Sequence, residues 1–121
     1  MELSYRSRPP RAPTHRPPLL ILLHGIGGNE FALERFAGVL DPRLLVLSVR
    51  APFTTAPGAY RWFDVTWSAQ GVDIDTFEAE QSRLAVIQFI NDAVMGFGAD
   101  PRRVYLLGFS QGATLAYAIG L

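Results

Sequence analysis

Val104-Tyr105-Leu106-Leu107-Gly108-Phe109-Ser110-Gln111-Gly112 runs a short apolar strand into a G-x-S-x-G turn, and Ala113-Thr114-Leu115-Ala116-Tyr117-Ala118 leads out as a helix start built of small residues. Strand, sharp turn and helix are the context in which this pentapeptide forms a nucleophile elbow. The bend lifts a serine hydroxyl above the sheet, and the two glycines let backbone crowd it. With Gly and Ser each near 7% of residues, a chance match in a chain of this length is roughly a 4% event, so the flanking strand and helix carry the argument. Such a serine needs a histidine base, and that base an acidic partner, both of which follow the serine in this kind of fold. Only nine residues follow Gly112 in this sequence.

Working outward, Leu19-Leu20-Ile21-Leu22-Leu23 and Leu44-Leu45-Val46-Leu47-Ser48-Val49 are near-continuous apolar runs of strand length. Continuous rather than alternating hydrophobicity predicts strands covered on both faces, as in a parallel sheet. A helix is expected from about Asn29, with Phe31, Leu33, Phe36, Ala37 and Leu40 at helical spacing, Asn29 as cap and Asp41-Pro42 as stop. A second is expected after a capping-box-like Asp75-Thr76-Phe77-Glu78, carrying Leu84, Ile87, Phe89, Ile90 and Val94 until Gly96 and Gly98 close it. Between them, Arg50 to about Gly71 reads as a long irregular stretch rich in aromatics. Phe53, Tyr60, Trp62, Phe63 and Trp67 either line an apolar substrate pocket or fold the loop back onto the sheet. Alternating strand and helix gives an α/β fold, a mostly parallel sheet with flanking helices.

The 121 residues suit one domain, with 49% hydrophobic residues for a core. Residues 1–18 read as a Pro/Arg-rich leader, in which Leu3-Ser4-Tyr5-Arg6-Ser7 can form an edge strand, and residues 19–121 as part of a single domain. Eleven basic and eleven acidic residues cancel, so no long-range field argues for nucleic acid. Arg6, Arg8, Arg11 and Arg16, interleaved with prolines, read as a solvated segment rather than a nucleic-acid arm. The absence of cysteine removes disulfide, thiolate and Cys-based metal chemistry, and no cofactor or metal motif is expected. Lacking an apolar leader or a membrane-length run, the chain is expected to be cytoplasmic, with no transmembrane segment. Gly25-Ile26-Gly27-Gly28 does not complete a dinucleotide fingerprint. Position 30 is Glu, and the next strand ends in Val49-Arg50 with no acid for a ribose.

Four blocks in order carry a more specific likeness: Leu22-Leu23-His24-Gly25-Ile26-Gly27-Gly28-Asn29-Glu30, Val49-Arg50-Ala51-Pro52, Trp62-Phe63-Asp64 and the Gly-Phe-Ser-Gln-Gly-Ala elbow. Together they resemble the phospholipase/carboxylesterase family of α/β-hydrolases, which includes the acyl-protein thioesterases. The resemblance covers about the first half of that family's domain. It implies a serine hydrolase of carboxylic esters or thioesters acting through an acyl-enzyme on Ser110. The backbone N–H groups of Ile26 and Gln111 would form the oxyanion hole; apart from the resemblance, Trp62 and Phe63 are the candidate substrate contacts among the aromatics of the long stretch. The resemblance gives His24 an architectural part in the oxyanion loop, and both histidines, His15 and His24, precede Ser110. The family's Asp and His would lie beyond these residues, so the chain is expected to be truncated before them and inactive alone. The alternative is a non-catalytic binding module, or a half-domain completed by another polypeptide. In either case the Val104–Leu107 strand is expected at an open sheet edge, inviting self-association.

Overall fold

The computed structural model describes residues 1–12, 14–32 and 34–120, with only the backbone of Arg35 and Ala37. A four-stranded sheet runs in the order β1 (Tyr5–Arg8), β3 (Leu45–Val49), β2 (Leu19–Leu23), β8 (Val104–Gly108). β2 pairs in parallel with β3 and with β8, while β1 is antiparallel to β3 from Tyr5↔Val49 to Arg8↔Val46. The parallel centre and its flanking helices are those of the α/β class.

The five residues of β2 are all buried because the strand is covered on both sides. Leu19, Ile21 and Leu23 join Leu47, Trp62, Val86 and Leu115 in the main core. Leu20 and Leu22 point the other way, to Val46, Phe36, Leu40 and Leu44. Alternation across a strand and two covers account for the uninterrupted apolar run. β8 differs. It is the outer strand among the described residues, and Tyr105 and Leu107 remain 52% and 37% exposed.

Helix α1 (Thr76–Phe97) starts and stops where local chemistry directs. The Asp75 carboxylate accepts from the Glu78 amide at 3.0 Å, and Gly98, at φ 68°, donates back to the Val94 carbonyl. Glu78 does not complete the box. Its carboxylate instead takes the Arg61 guanidinium at 3.0 and 2.8 Å and the Asp64 amide at 2.8 Å. Helix α2 (Gln111–Gly120) packs on β8, β2 and α1.

Two expectations need correction. The helix expected from Asn29 is only a 3₁₀ helix, Glu34–Val39; Leu33 lies outside the described residues. The Asn29 side chain accepts from the Phe31 amide at 2.9 Å, holding a turn instead of capping a helix, and Glu30 is drawn inward to Arg50. Residues 50–71 are not irregular either. They contain the hairpin β4 (Phe53–Ala56) with β5 (Ala59–Arg61), and β6 (Val65–Ser68), which pairs with β7 (Gly71–Ile74). Pro57-Gly58 and Gln70-Gly71, with Gly58 at φ 75° and Gly71 at φ 116°, are the turn signals that the aromatic content masked.

The basic N-terminal stretch is tied to the sheet rather than simply solvated. The Arg8 guanidinium donates to the carbonyls of Asp41 and Leu44, and the amides of Arg11 and Ala12 both donate to Pro42.

Candidate active site

Two loops meet at the carboxyl ends of the parallel strands, one after β2 and one after β8. Ser110 stands between β8 and α2 with φ 54°, a left-handed conformation that costs a non-glycine residue about 1–2 kcal/mol. Its neighbours explain how that geometry is held. A Cβ on Gly108 would lie 2.3 Å from the Gly112 carbonyl carbon, and one on Gly112 would lie 2.1 Å from the Leu23 carbonyl oxygen. Both positions are therefore closed to any side chain, and α2 begins in direct backbone contact with the end of β2. The two loops also touch each other: a Cβ on Gly25 would come within 3.2 Å of Ser110 Cβ.

The loop after β2 is fixed by backbone bonds. Gly28 N–H donates to the Gly25 carbonyl at 3.0 Å, and Gly27 N–H to the Tyr60 carbonyl at 2.8 Å. Tyr60 N–H returns a bond to Gly28 at 2.9 Å. Among the described residues, the Ile26 amide between them has no hydrogen-bond acceptor. Gln111 opens α2, where the first amides lack intrahelical partners and the macrodipole is positive.

His24 is 1% exposed and both ring nitrogens are occupied. Nε2 accepts from the Ala51 amide at 3.0 Å, so the proton sits on Nδ1, 2.7 Å from the Gly25 carbonyl. Burial pulls the His24 pKa below 6.5, against the Gly25 bond and the Glu30 charge. A neutral, doubly bonded imidazole cannot take a proton from Ser110. His15 is exposed beside Gly98, Ala99 and Pro101, ahead of β8. Five residues of strand, about 16 Å, separate that end of the sheet from the Ser110 end.

Trp62 and Phe63, read either as substrate contacts or as residues that fold the loop back onto the sheet, are in the core at 0% and 4% exposure. The reason is a set of polar anchors reaching them from elsewhere. The Gln111 side-chain oxygen accepts from the amides of Trp62 at 3.0 Å and Phe63 at 3.4 Å, while its NH₂ donates to the Phe63 carbonyl. Ser82 Oγ donates to the Trp62 carbonyl at 2.6 Å, and Trp62 Nε1 donates to the His24 carbonyl at 2.7 Å.

The profile of the phospholipase/carboxylesterase family matches residues 9–121. The chain belongs to the phospholipase/carboxylesterase family. Among solved structures, a Bacillus cereus carboxylesterase is similar at 27% identity and TM-score 0.77, over 97% of this chain and 52% of that one. Esterase PE8 is similar at 28% identity and TM-score 0.81, over 100% of this chain and 58% of that one. A Zea mays acyl-protein thioesterase 2, at 22% identity and TM-score 0.68, covers 96% of this chain and 50% of its own, and shares the fold. This family member thus spans about half the length of the solved structures it matches.

Residue-type reasoning missed two features of this family member. The Gln111 side chain is one; a long polar residue opening a helix of otherwise small and apolar residues was its only signal. The other is Glu30, 6% exposed and paired with Arg50, whose guanidinium also lies 4.6 Å over the Tyr60 ring. Asp64 is exposed and bonds to the Val65 amide at 3.0 Å, so its carboxylate serves a local turn. No described group of three or more His, Cys, Asp or Glu could hold a metal, and no described helix is long and apolar enough to cross a membrane.

Proposed function

We propose that this chain carries the nucleophile and oxyanion half of a serine hydrolase acting on carboxylic esters or thioesters. Ser110 Oγ attacks the acyl carbon while its proton passes to a base. The carbonyl π pair moves onto oxygen, and the amides of Ile26 and Gln111 stabilise that charge without reorganising. The intermediate collapses, the alcohol or thiol leaves with the proton, and an ester on Ser110 remains. Water then repeats the sequence and releases the acid. Neither histidine in the sequence suits the base, so the base and its acidic partner come from residues outside these 121.

One observation carries this reading. Ser110 holds a strained left-handed bend between strand and helix, and the loop bearing the unpartnered Ile26 amide abuts its Cβ. The test is a fluorophosphonate probe with peptide mapping. An adduct on Ser110 that disappears in Ser110→Ala is expected. The adduct should form slowly, because no base activates the hydroxyl, and labelling of another residue in preference to Ser110 overturns the assignment. Turnover of a p-nitrophenyl ester should be lower than for a complete triad by on the order of six decades. Sustained multiple turnover by these 121 residues would refute the missing-base reading.

A second reading is favoured by the open β8 edge. There another polypeptide completes the sheet, or two copies associate through that edge. A sharp monomeric peak with cooperative unfolding would count against it.

A further inference from the structure

Trp62 is bonded to both loops that bear the amides of the proposed oxyanion hole. Its indole Nε1–H donates to the carbonyl of His24, two residues before Ile26, at 2.7 Å. Its backbone N–H donates to the side chain of Gln111, whose own amide is the other donor, at 3.0 Å. Its carbonyl is fixed from a third direction by Ser82 Oγ on α1. The indole is fully buried, with its ring centroid 5.3 Å from that of His24, whose Nε2 is in turn held by the Ala51 amide. We infer that Trp62 is a positioning residue, a cross-brace that sets the spacing of the Ile26 and Gln111 amides rather than a wall of the substrate pocket. The inference rests on the oxyanion roles proposed above for those two amides.

Physical chemistry makes the spacing matter. Oxyanion donors act because they already stand about 2.7–3.1 Å from where the charge develops. A shift of about 1 Å in a reacting geometry can cost about 100-fold in rate. The two donors here sit on separate strand-end loops. The Gly25–Ser110 contact limits their approach from one side, and Trp62 ties them from the other. Its bonds are dry, where hydrogen bonds are stronger and their loss leaves a buried carbonyl unpaired.

The missing base makes the test clean. When a triad is incomplete, the residual acceleration, on the order of 10³–10⁴ over water, comes from the oxyanion hole and binding. Acetylation of Ser110 by p-nitrophenyl acetate in the 121-residue chain, followed by mass spectrometry with peptide mapping, therefore reports on donor geometry. Rates measured against ester concentration give a maximal rate and a half-saturation value. Trp62→Phe keeps a ring in the core but removes the indole donor, and Gln111→Met cuts the brace at its other end. Each should lower the maximal rate about 10-fold or more, with half-saturation unchanged within about twofold. The double variant should lose little beyond either single one, because both break one connection. Val86→Ala, a fully buried position on α1, serves as the packing control and should keep the parent rate in folded protein.

Rates within twofold of the parent in Trp62→Phe and Gln111→Met would overturn the brace, as would losses no larger than that of Val86→Ala. If Trp62→Phe does not fold, Gln111→Met decides. An unreactive Ser110 in the parent, or equal labelling of Ser110→Ala, would instead remove the hydrolase reading itself. A reactive Ser110 indifferent to Trp62 removes only the brace.

Discussion

Trp62 and Trp67 stand in one short aromatic stretch, yet the first is fully buried and the second is 77% exposed. Around Trp62 the chain is held by Gln111, Ser82, His24 and Glu78, which lie on three other elements or loops. Around Trp67 the hairpin bonds mainly to itself. Val72 and Ile74 pair across from Trp67 and Val65, and are 52% and 40% exposed. The difference shows that aromatic character does not decide burial here. Polar groups arriving from distant parts of the chain do, by satisfying the backbone of one segment and leaving the other to solvent.

The sharpest way to break the anchored region is through α2, which carries Gln111. Gly112→Ala would drive a Cβ against the Leu23 carbonyl, a backbone group that cannot step aside. The expected loss exceeds about 4 kcal/mol, a large share of the stability of a small domain. Thermal or urea unfolding would register it as failure to fold at 25 °C. A variant melting within a few degrees of the parent would mean that α2 does not seat on β2 as described.

The contrast itself is tested by truncating each tryptophan. Trp62→Ala should cost about 3–5 kcal/mol, since it opens a cavity and strands the His24 carbonyl. Trp67→Ala should stay within about 0.5 kcal/mol. Equal effects in denaturant titrations would erase the distinction between the two segments.

How much of this could be read from residues alone follows the same division. β2 and β3 were legible because two-sided burial leaves continuous apolar runs, and β8, although open on one side, because its apolar residues lead straight into the elbow. The Ser110 bend was legible because Gly108 and Gly112 have no substitute at such close approach. The Asp75 cap and the Gly98 stop are likewise local chemistry. The segment after Asn29 was misread because its apolar spacing suits a helix, while the Asn29 turn and the buried Glu30–Arg50 pair are settled by tertiary contact. The burial of Trp62 and Phe63 depends on a glutamine about fifty residues away, and periodicity cannot register a partner at that separation.

Glu30 offers a smaller effect with a pH signature. Burial pushes its carboxyl up, but the Arg50 hydrogen bond, a bond to its own backbone amide and the Arg50 charge outweigh this and hold it below the usual 4.5. The folded state therefore binds the proton less readily than the unfolded chain. The resulting stability is present above pH 4.5 and is lost as pH falls through the folded value. Glu30→Gln should cost about 1–2 kcal/mol at pH 7, the lower part of the range for charged hydrogen bonds because Arg50 remains a third exposed. The gap to the parent should narrow as the medium is acidified past that point. Denaturant titrations that show a constant gap from neutral to acid pH would mean that the pair contributes no charge-dependent stability to the anchored side.

The smallest effect belongs to the end of α1 farthest along the chain from the Asp75 cap. A Cβ on Gly96 would meet nothing within 4 Å, and the residue lies inside the helix. Gly96→Ala should stabilise by about 0.5–1 kcal/mol, because alanine gives up less backbone freedom on folding. Gly98 has equally open space around it, but sits at φ 68° as the cap. Alanine there should cost about 1 kcal/mol, since the penalty is conformational and not steric. Opposite signs two residues apart, read from melting curves, would place the end of α1 under local backbone control. Losses at both positions would mean that something packs against this end of the helix, extending the anchored side of the molecule well beyond Trp62.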